Sequence, residues 1–283
     1  MTGRRGTSVR VAYAGYDFFS GCLRALLELP DVEVVLCLTG TPGEPIGEIV
    51  RLCGQGAVPV HFGRPTAHAV AAVNRLEVDL LVSAAYSYRI PVEELKIRQA
   101  VNVHSTLLPF GRGPNPLPYL LDGQRRFSGV TVHEMNHEFD RGPVLVQREI
   151  PVDDADGFDE LSLKMFAAAP PLVAELIRRF PVTPADARPG PDGSYWPLQP
   201  LSERSFRVEE DDAESVRRLV AKFGMSGVVA ELPDGARYCS GNVAAVSCAH
   251  GFPVGTVVSR AASGWIMALP DGLVRMTDPA PVD

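Results

Sequence analysis

Three polar residues in two separate segments have the types and spacing of a site for charge stabilisation and proton transfer. Asn102 and His104 alternate with two valines, so on a β-strand the valines face one side and the amide and imidazole face the other. Asp140 follows much later in the chain, two residues before a glycine. An amide N–H can stabilise negative charge on a carbonyl oxygen. An imidazole or a carboxylate can take a proton from an incoming nucleophile.

Each of these residues taken alone has a simpler interpretation. An isolated Asn-x-His pair often satisfies buried backbone groups, and an Asp close to a glycine is often a turn residue. His133 and His137 are four residues apart, but their segment has the pattern of strand and loop, so we interpret them as surface or substrate-pocket histidines. The five cysteines form no C-x-x-C pair, and the sequence therefore predicts no metal site.

The secondary structure that positions Asn102, His104 and Asp140 is predicted from short apolar runs that alternate with helical patterns. Strands are predicted at residues 9–14, 32–38, 58–62 and 79–85, with helices between them. Such βαβ units predict an α/β fold with a Rossmann-like, twisted and mostly parallel sheet that carries helices on both faces. The strand predicted at residues 100–104 ends in the Asn-x-His pair, and open α/β sheets place their sites at such strand ends.

The second half of the chain predicts a different architecture. After two strands, at 129–136 and 144–152, a helix over 159–180 should end or kink at Pro170 and Pro171. A proline-rich stretch predicts a linker over 181–200, which divides the chain into a catalytic domain (1–180) and a C-terminal domain (201–283). The latter combines a helix over 212–223 with short strands, a pattern typical of a small barrel or sandwich.

Charge and hydropathy narrow the possible partners. The net charge is −7, and the densest charge run, residues 209–212, is acidic, whereas a protein that grips a nucleic-acid backbone usually has a basic surface. No apolar run reaches the length of a membrane helix, and no apolar signal core follows the N-terminus. We therefore expect a soluble, cytoplasmic protein with no membrane partner.

The motifs together resemble a known family. Asn-x-His-x-x-Leu-Leu-Pro at 102–109, an Arg-Gly loop after it and the later Asp-x-Gly resemble the formyltransferases that use 10-formyltetrahydrofolate. Residues 13–18, 254–257 and 268–276 resemble the methionyl-tRNA formyltransferase branch of that family. The resemblance implies an OB-like C-terminal barrel, a catalytic role for Asn102, His104 and Asp140, and no need for a metal. Whether His104 or Asp140 is the base stays open.

The resemblance also implies binding residues. The folate donor is expected to contact the segment after the catalytic histidine, which consists of Thr106, Leu107, Leu108 and Pro109. It is also expected to contact two loops, one with Tyr86, Tyr88 and Arg89 and one with Glu138 and Phe139. The acceptor is expected to contact Tyr16, Arg112 and Gly113. Tyr86 and Tyr88 could equally be packing residues. Arg112 could bind an anionic substrate or be a solvated loop residue.

The acceptor is the open question. The methionyl-tRNA branch carries a basic insertion after the second strand, but residues 39–48 here contain two Glu and no Lys or Arg. We therefore expect a small primary amine or hydroxylamine, such as a hydroxyornithine-like siderophore unit or an amino sugar. A methionyl-tRNA formyltransferase with an unusual loop is the alternative. A 10-formyltetrahydrofolate hydrolase or an idle folate-binding relative is a second alternative.

Overall fold

A computed structural model describes residues 8–181, 193–262 and 264–282. Its chain divides into two compact units, each assembled from several stretches. The first unit contains Met1–Pro116, Arg126–Pro151 and Lys164–Trp196; the second contains Leu117–Arg125, Val152–Leu163 and Pro197–Asp283. Most of the predicted linker, residues 182–192, lies outside the described residues, and the boundaries at 180 and 200 stay predictions.

The first unit is built on one seven-stranded sheet with the order β3-β2-β1-β4-β5-β6-β7. Its strands are β1 (Val9–Gly15), β2 (Val32–Thr39), β3 (Val60–Phe62), β4 (Leu80–Ala84), β5 (Gln99–His104), β6 (Gly129–Glu134) and β7 (Val144–Glu149). The first five pair in parallel, whereas β6 and β7 are antiparallel. The predicted mostly parallel, Rossmann-like sheet is confirmed.

Strands β1, β2 and β4 are largely buried, as short apolar runs predict for a sheet covered on both faces. The short edge strand β3 is only partly buried. The helices that connect the parallel strands are α1 (Ser20–Glu28), α2 (Gly47–Gln55) and α3 (Ala67–Arg75). Strand β1 pairs with β2 on one side and with β4 on the other. The strand order therefore reverses between β1 and β4, and open α/β sheets bind ligands at such a switch point.

The two prolines were predicted to end or kink their helix, and the helix does not end there. Helix α5 runs from Phe158 to Arg178 with Pro170 and Pro171 inside it. Each proline removes one backbone hydrogen bond. The loss is offset by packing, because Leu172 and Leu176 after the prolines are buried to 1% and 0% exposure.

The second unit combines one amphipathic helix with two four-stranded sheets. Helix α6 (Ala213–Phe223) begins at Asp212, whose carboxylate accepts a hydrogen bond from Ser215 N at 2.7 Å, and ends at Gly224; Asp and Gly are typical capping residues at these two ends. The sheets have the orders β15-β10-β9-β8 and β11-β14-β13-β12. Their strands are β8 (Ser205–Arg207), β9 (Val228–Glu231), β10 (Arg237–Ser240), β11 (Val243–Ser247), β12 (Val257–Ala261), β13 (Gly264–Ala268), β14 (Gly272–Met276) and β15 (Ala280–Pro281).

The two short stretches of the second unit are bonded to its larger part. The first stretch contains the short helix α4 (Leu117–Tyr119). The carboxylate of Asp122, in that stretch, accepts from Lys222 Nζ at 3.0 Å, and the carboxylate of Asp159 accepts from Met225 N at 2.8 Å. Among the described residues, no helix is long and apolar enough to cross a bilayer.

Candidate active site

Strand β5 places the predicted catalytic pair in the middle of the sheet. Asn102 lies opposite His133 of β6, and His104 lies opposite Thr131. The valines of β5 are buried to 0% and 3% exposure, so the predicted division into a packing face and a polar face holds. His104 is itself buried, at 7% exposure. The groups around its ring therefore determine whether the ring is protonated.

The ring of His104 is held in one tautomer. Its Nε2 lies 2.8 Å from the carbonyl oxygen of Gly111, and a carbonyl only accepts, so Nε2 carries the proton. Burial lowers the pKa of His104 below its usual range; Asp140 and the bond to Gly111 oppose this shift, and His133 adds to it. The neutral ring therefore presents a free lone pair on Nδ1.

Asp140 lies on the side of that lone pair. Its Oδ1 is 3.6 Å from His104 Nδ1, and its Oδ2 accepts a hydrogen bond from Gly113 N at 3.0 Å. Burial opposes ionisation of this carboxyl, but the interactions with the neighbouring His104 and His133 and the hydrogen bond from the Gly113 N–H outweigh it and lower the pKa of Asp140 to about 2. The carboxylate is therefore ionised at neutral pH. Its backbone φ of +55° lies in the left-handed region, which Asp tolerates better than most residues.

His133 joins the three predicted residues. It is 2% exposed, and its Nδ1 donates to the carbonyl oxygen of Glu134 at 2.8 Å. In the neutral ring Nε2 is then an acceptor, and it lies 3.3 Å from Asn102 Nδ2 and 3.5 Å from Asp140 Oδ1. Of the two interpretations of His133, as a surface or a substrate-pocket histidine, its burial opposite Asn102 excludes the surface one.

The loop that orients His104 is held by residues 194–196, which lie within the predicted linker. Gly111 N donates to Ser194 Oγ at 2.9 Å, Arg112 N donates to Ser194 O at 3.0 Å, and Trp196 N donates to Arg112 O at 2.7 Å. A Cβ at Gly111, where φ is +71°, would lie 2.5 Å from the indole of Trp196 and 2.7 Å from Thr106. Sequence reasoning missed the role of residues 194–196, and only the proximity in space identifies it.

The predicted folate segment forms a tightly bonded turn. Thr106 is fully buried and donates from Oγ1 to the carbonyl oxygen of Phe110 at 2.7 Å. Thr131 donates to the Thr106 carbonyl at 2.6 Å and accepts from Leu108 N at 3.1 Å, while Gln147 donates to the Leu108 carbonyl at 2.7 Å. Leu107 and Pro109 of this turn are half-buried. A ligand would therefore meet a rigid backbone here.

The two flanking loops differ in exposure. Tyr86 and Tyr88 are half-buried, with ring centroids 5.5 Å apart, while Arg89 is exposed and lies 3.8 Å from a glutamate one helical turn away. Glu138 and Phe139 are exposed, the latter to 69%. An uncovered aromatic ring directly before the buried Asp140 is a suitable surface for a flat heterocycle.

The predicted acceptor contacts have distinct environments. Tyr16 is 6% exposed and donates from its hydroxyl to Glu44 at 2.9 Å. Arg112 is half-buried rather than solvated, its Nη2 donates to the Gly193 carbonyl at 3.3 Å, and its Nε is buried without a partner. Gly113 is buried and contributes its N–H to Asp140. Across the residues that the structure describes, no group of His, Cys, Asp or Glu is arranged to hold a metal ion.

Comparisons with known proteins show which family the chain resembles. Residues 64–176 match the family model described as "Formyl transferase". The chain is 25% identical over 291 residues to a methionyl-tRNA formyltransferase from Janthinobacterium sp. (strain Marseille), covering 95% of this chain and 92% of that protein.

Solved structures share the fold. HypX from Aquifex aeolicus in complex with tetrahydrofolic acid has a TM-score of 0.65 at 19% identity; the match covers 97% of this chain and 44% of that one, so the chain spans less than half of HypX. WlaRD, a sugar 3N-formyl transferase, has a TM-score of 0.60 at 13% identity and covers 96% of this chain and 98% of that one. Together these findings show that the chain resembles the formyltransferases, with methionyl-tRNA formyltransferase among its relatives over almost its whole length.

Proposed function

We propose that this formyltransferase moves a formyl group from 10-formyltetrahydrofolate to a primary amine or hydroxylamine of a small molecule. The observation that carries the proposal is the neutral His104 ring, whose unprotonated Nδ1 faces the ionised Asp140 at 3.6 Å. This distance is too long for a direct hydrogen bond and leaves the lone pair open to a proton from an incoming amine.

The residues divide the chemistry as follows. When bound, the folate donor supplies the formyl carbon that the amine nitrogen attacks. His104 Nδ1 takes the proton that the amine loses, and Asp140 stabilises the imidazolium so formed. Asn102 donates an N–H to the carbonyl oxygen while that oxygen is negatively charged. As the bond to the departing folate nitrogen breaks, His104 returns its proton to that nitrogen, so the enzyme ends as it began.

His133 has a positioning role in this scheme. Its Nε2 accepts one N–H of Asn102 at 3.3 Å, which fixes the plane of the amide and leaves the second N–H for the oxyanion. The tautomer that permits this is set by the bond from His133 Nδ1 to the carbonyl of Glu134.

Two observations support a folate donor. The exposed ring of Phe139 and the half-buried rings of Tyr86 and Tyr88 are apolar groups of the kind that line cofactor pockets. The structure of HypX, which shares the fold, holds tetrahydrofolic acid. The residues present therefore fit an aromatic heterocycle, which Phe139, Tyr86 and Tyr88 would hold.

The small acceptor is supported by charge. The loop between β2 and α2 has no Lys or Arg, and the net charge is −7, so the electrostatic attraction on which tRNA binding depends is missing. The alternative acceptor, methionyl-tRNA, is favoured by the name of a relative that matches almost the whole chain.

The test is formyl transfer with purified protein. We expect 10-formyltetrahydrofolate to be converted to tetrahydrofolate only when a small amine acceptor is present, with the formylated acceptor detected by mass spectrometry. His104→Ala should lose more than about 10³-fold in kcat, the upper range for one catalytic group. His68→Ala, a matched change of an exposed histidine on α3, should keep full activity.

Three results would contradict the proposal. Turnover on methionyl-tRNA and on no small amine would establish the alternative acceptor. Release of tetrahydrofolate without any acceptor would indicate hydrolysis. Full activity of His104→Ala would exclude the assigned base.

A further inference from the structure

Residues 193–196, which we call the clamp segment, pair with the loop after β5 at Arg112. The backbone N–H of Arg112 donates to the carbonyl oxygen of Ser194 at 3.0 Å, and the N–H of Trp196 donates to the carbonyl oxygen of Arg112 at 2.7 Å. These bonds form a short parallel bridge that places Arg112 opposite Tyr195. The clamp segment therefore holds Arg112 by both of its backbone polar groups.

The backbone groups on either side of Arg112 contact the catalytic residues. The carbonyl oxygen of Gly111 lies 2.8 Å from His104 Nε2, and the N–H of Gly113 donates to Asp140 Oδ2 at 3.0 Å. Because these groups belong to the two neighbours of the paired residue, their positions depend on where the pairing holds the chain. The register of one bridge thus sets the partners of both His104 and Asp140.

The clamp segment also explains the glycines of this loop, because it passes directly over them. A Cβ at Gly111 would lie 2.5 Å from the indole of Trp196, and a Cβ at Gly113 would lie 2.1 Å from the Trp196 carbonyl oxygen. In the clamp segment itself, a Cβ at Gly193 would lie 1.8 Å from the carbonyl oxygen of Pro109. The two chain segments therefore approach each other too closely for side chains at these positions.

The hydroxyl of Ser194 holds the glycine whose carbonyl bonds the His104 ring. Its Oγ accepts from Gly111 N at 2.9 Å. Gly111 has a φ of +71° and, as a glycine, little conformational preference of its own, so bonds to other residues must fix its carbonyl. Thr106 Oγ1 lies 3.4 Å from that carbonyl, but its shorter bond, at 2.7 Å, is to Phe110. Ser194 therefore provides the shorter side-chain contact to Gly111.

We propose that Ser194 is a positioning residue for formyl transfer, which acts through the backbone of Gly111 to keep the proton of the His104 ring on Nε2. The tautomer of a histidine is set by the hydrogen bond that one of its ring nitrogens makes. With the Gly111 carbonyl displaced, the ring would also carry its proton on Nδ1 and donate it to Asp140, whose Oδ1 is 3.6 Å away. That tautomer has no lone pair for the proton of the amine. The inference rests on the proposed function, because it concerns the base of that reaction.

The first experiment determines the tautomer of His104 without any substrate. The full-length protein is labelled with ¹⁵N in histidine, and a long-range ¹H–¹⁵N correlation spectrum is recorded at a pH above the histidine range, where the two neutral tautomers give different patterns. His104→Gln identifies the signals of His104 by their absence. We expect the Nε2–H tautomer in the unmodified protein and a mixture of both tautomers in Ser194→Ala.

Two control variants accompany Ser194→Ala. Ser194→Thr keeps a hydroxyl at the same position and should keep the Nε2–H tautomer. Ser202→Ala removes the hydroxyl of an exposed serine further along the chain and should also leave the His104 signals unchanged. The comparison separates the loss of this one hydroxyl from the general effect of a serine-to-alanine change.

The second experiment measures formyl transfer by the same variants. Ser194→Ala should lower kcat by about tenfold to a hundredfold, as for a displacement of roughly 1 Å at reacting groups. The KM values of donor and acceptor should stay within about twofold, because the change weakens the base rather than uniform substrate binding. Ser194→Thr should recover most of kcat, and Ser202→Ala should lose none.

The outcomes separate this inference from the proposed function. A His104 ring that stays in the Nε2–H tautomer in Ser194→Ala would overturn the role of Ser194, and so would a loss of kcat that Ser194→Thr does not recover. Formyl transfer to a small amine by the unmodified protein would then still stand. No formylated product from any small amine would overturn the proposed function itself, whatever the spectrum shows.

Discussion

At the scale of single residues, hydrogen bonds decide which nitrogen of each histidine is basic. His104 donates from Nε2 to the Gly111 carbonyl, whereas His133 donates from Nδ1 to the Glu134 carbonyl. The two rings therefore present opposite nitrogens, Nδ1 and Nε2, to the same space beside Asp140. Two backbone carbonyls thus fix the roles of both rings before a substrate binds.

The first prediction concerns pH. Because His104 must be neutral to act as a base and burial lowers its pKa, kcat/KM should be flat at neutral pH and fall only below the ordinary histidine range. Asp140 raises the pKa of His104, so Asp140→Asn should lower the maximal rate and move this acid limb to lower pH. The measurement is the pH profile of kcat/KM, which reports the free enzyme.

The control for this prediction is Glu149→Gln, which changes an exposed carboxylate on β7 and should leave the profile unchanged. An acid limb in Asp140→Asn that moves upward would contradict the assignment of His104 as the base.

The residue pattern of β5 was sufficient to predict that Asn102 and His104 share a face, because alternation on a strand is a local property. The role of His133 was not predictable in this way. It depends on the register that places His133 opposite Asn102, and antiparallel register between β5 and β6 is set by packing over 30 residues of intervening chain. The only local indication was that His133 lies on a predicted strand, two residues after Thr131, so that both side chains share a face.

At the scale of elements, the loop after β5 is shaped by a partner that is distant in sequence. Gly111 and Arg112 bond to Ser194, about 80 residues later. Sequence patterns predicted the strands well because each is a short apolar run. They could not predict the conformation of this loop, because the later segment fixes it. Helix α5 continues past its two prolines, rather than ending there, because its buried packing outweighs them.

The second prediction tests this loop. Gly111→Ala adds a methyl group that meets Trp196 and Thr106 at a φ of +71°, so it should displace the carbonyl that orients His104. We expect a loss of stability of about 1–3 kcal/mol, from strain and overpacking, and a fall in kcat. Thermal unfolding and single-turnover kinetics are the measurements.

Gly123→Ala is the matched control, because Gly123 has a φ of +98° but no neighbour within 4 Å of the added carbon. Gly123→Ala should lower the stability through backbone strain alone, without steric crowding, and its kcat should be unchanged. An equal loss of kcat in both variants would show that the crowding at Gly111 has no catalytic consequence.

At the scale of the whole molecule, charge determines which acceptors are attracted. The net charge of −7 and the acidic run at 209–212 disfavour a polyanion, as the composition predicts. Fold class was also predictable, because the alternation of apolar runs and helical patterns extends over most of the first unit. The assembly of each unit from several stretches of chain was not, because it depends on contacts between segments that share no local pattern.

The third prediction follows from charge. Binding of unfractionated tRNA at about 150 mM salt should be weaker than about 10⁻⁴ M, the weak end of non-specific nucleic-acid binding. Turnover of the small acceptor should change little with salt. The measurements are a filter-binding titration and a salt series of kcat/KM. A tRNA association constant that falls steeply as the salt concentration rises would contradict the absence of phosphate contacts.

The discontinuous second unit has a consequence for how relatives of this protein can exchange parts. Its three stretches, Leu117–Arg125, Val152–Leu163 and Pro197–Asp283, are separated by stretches of the first unit. A single genetic crossover near residue 197 would therefore join a new C-terminal stretch to two stretches that evolved with the old one. Chimeras within this family should require matched replacement of all three, and recombination should preserve the two units together more often than it separates them.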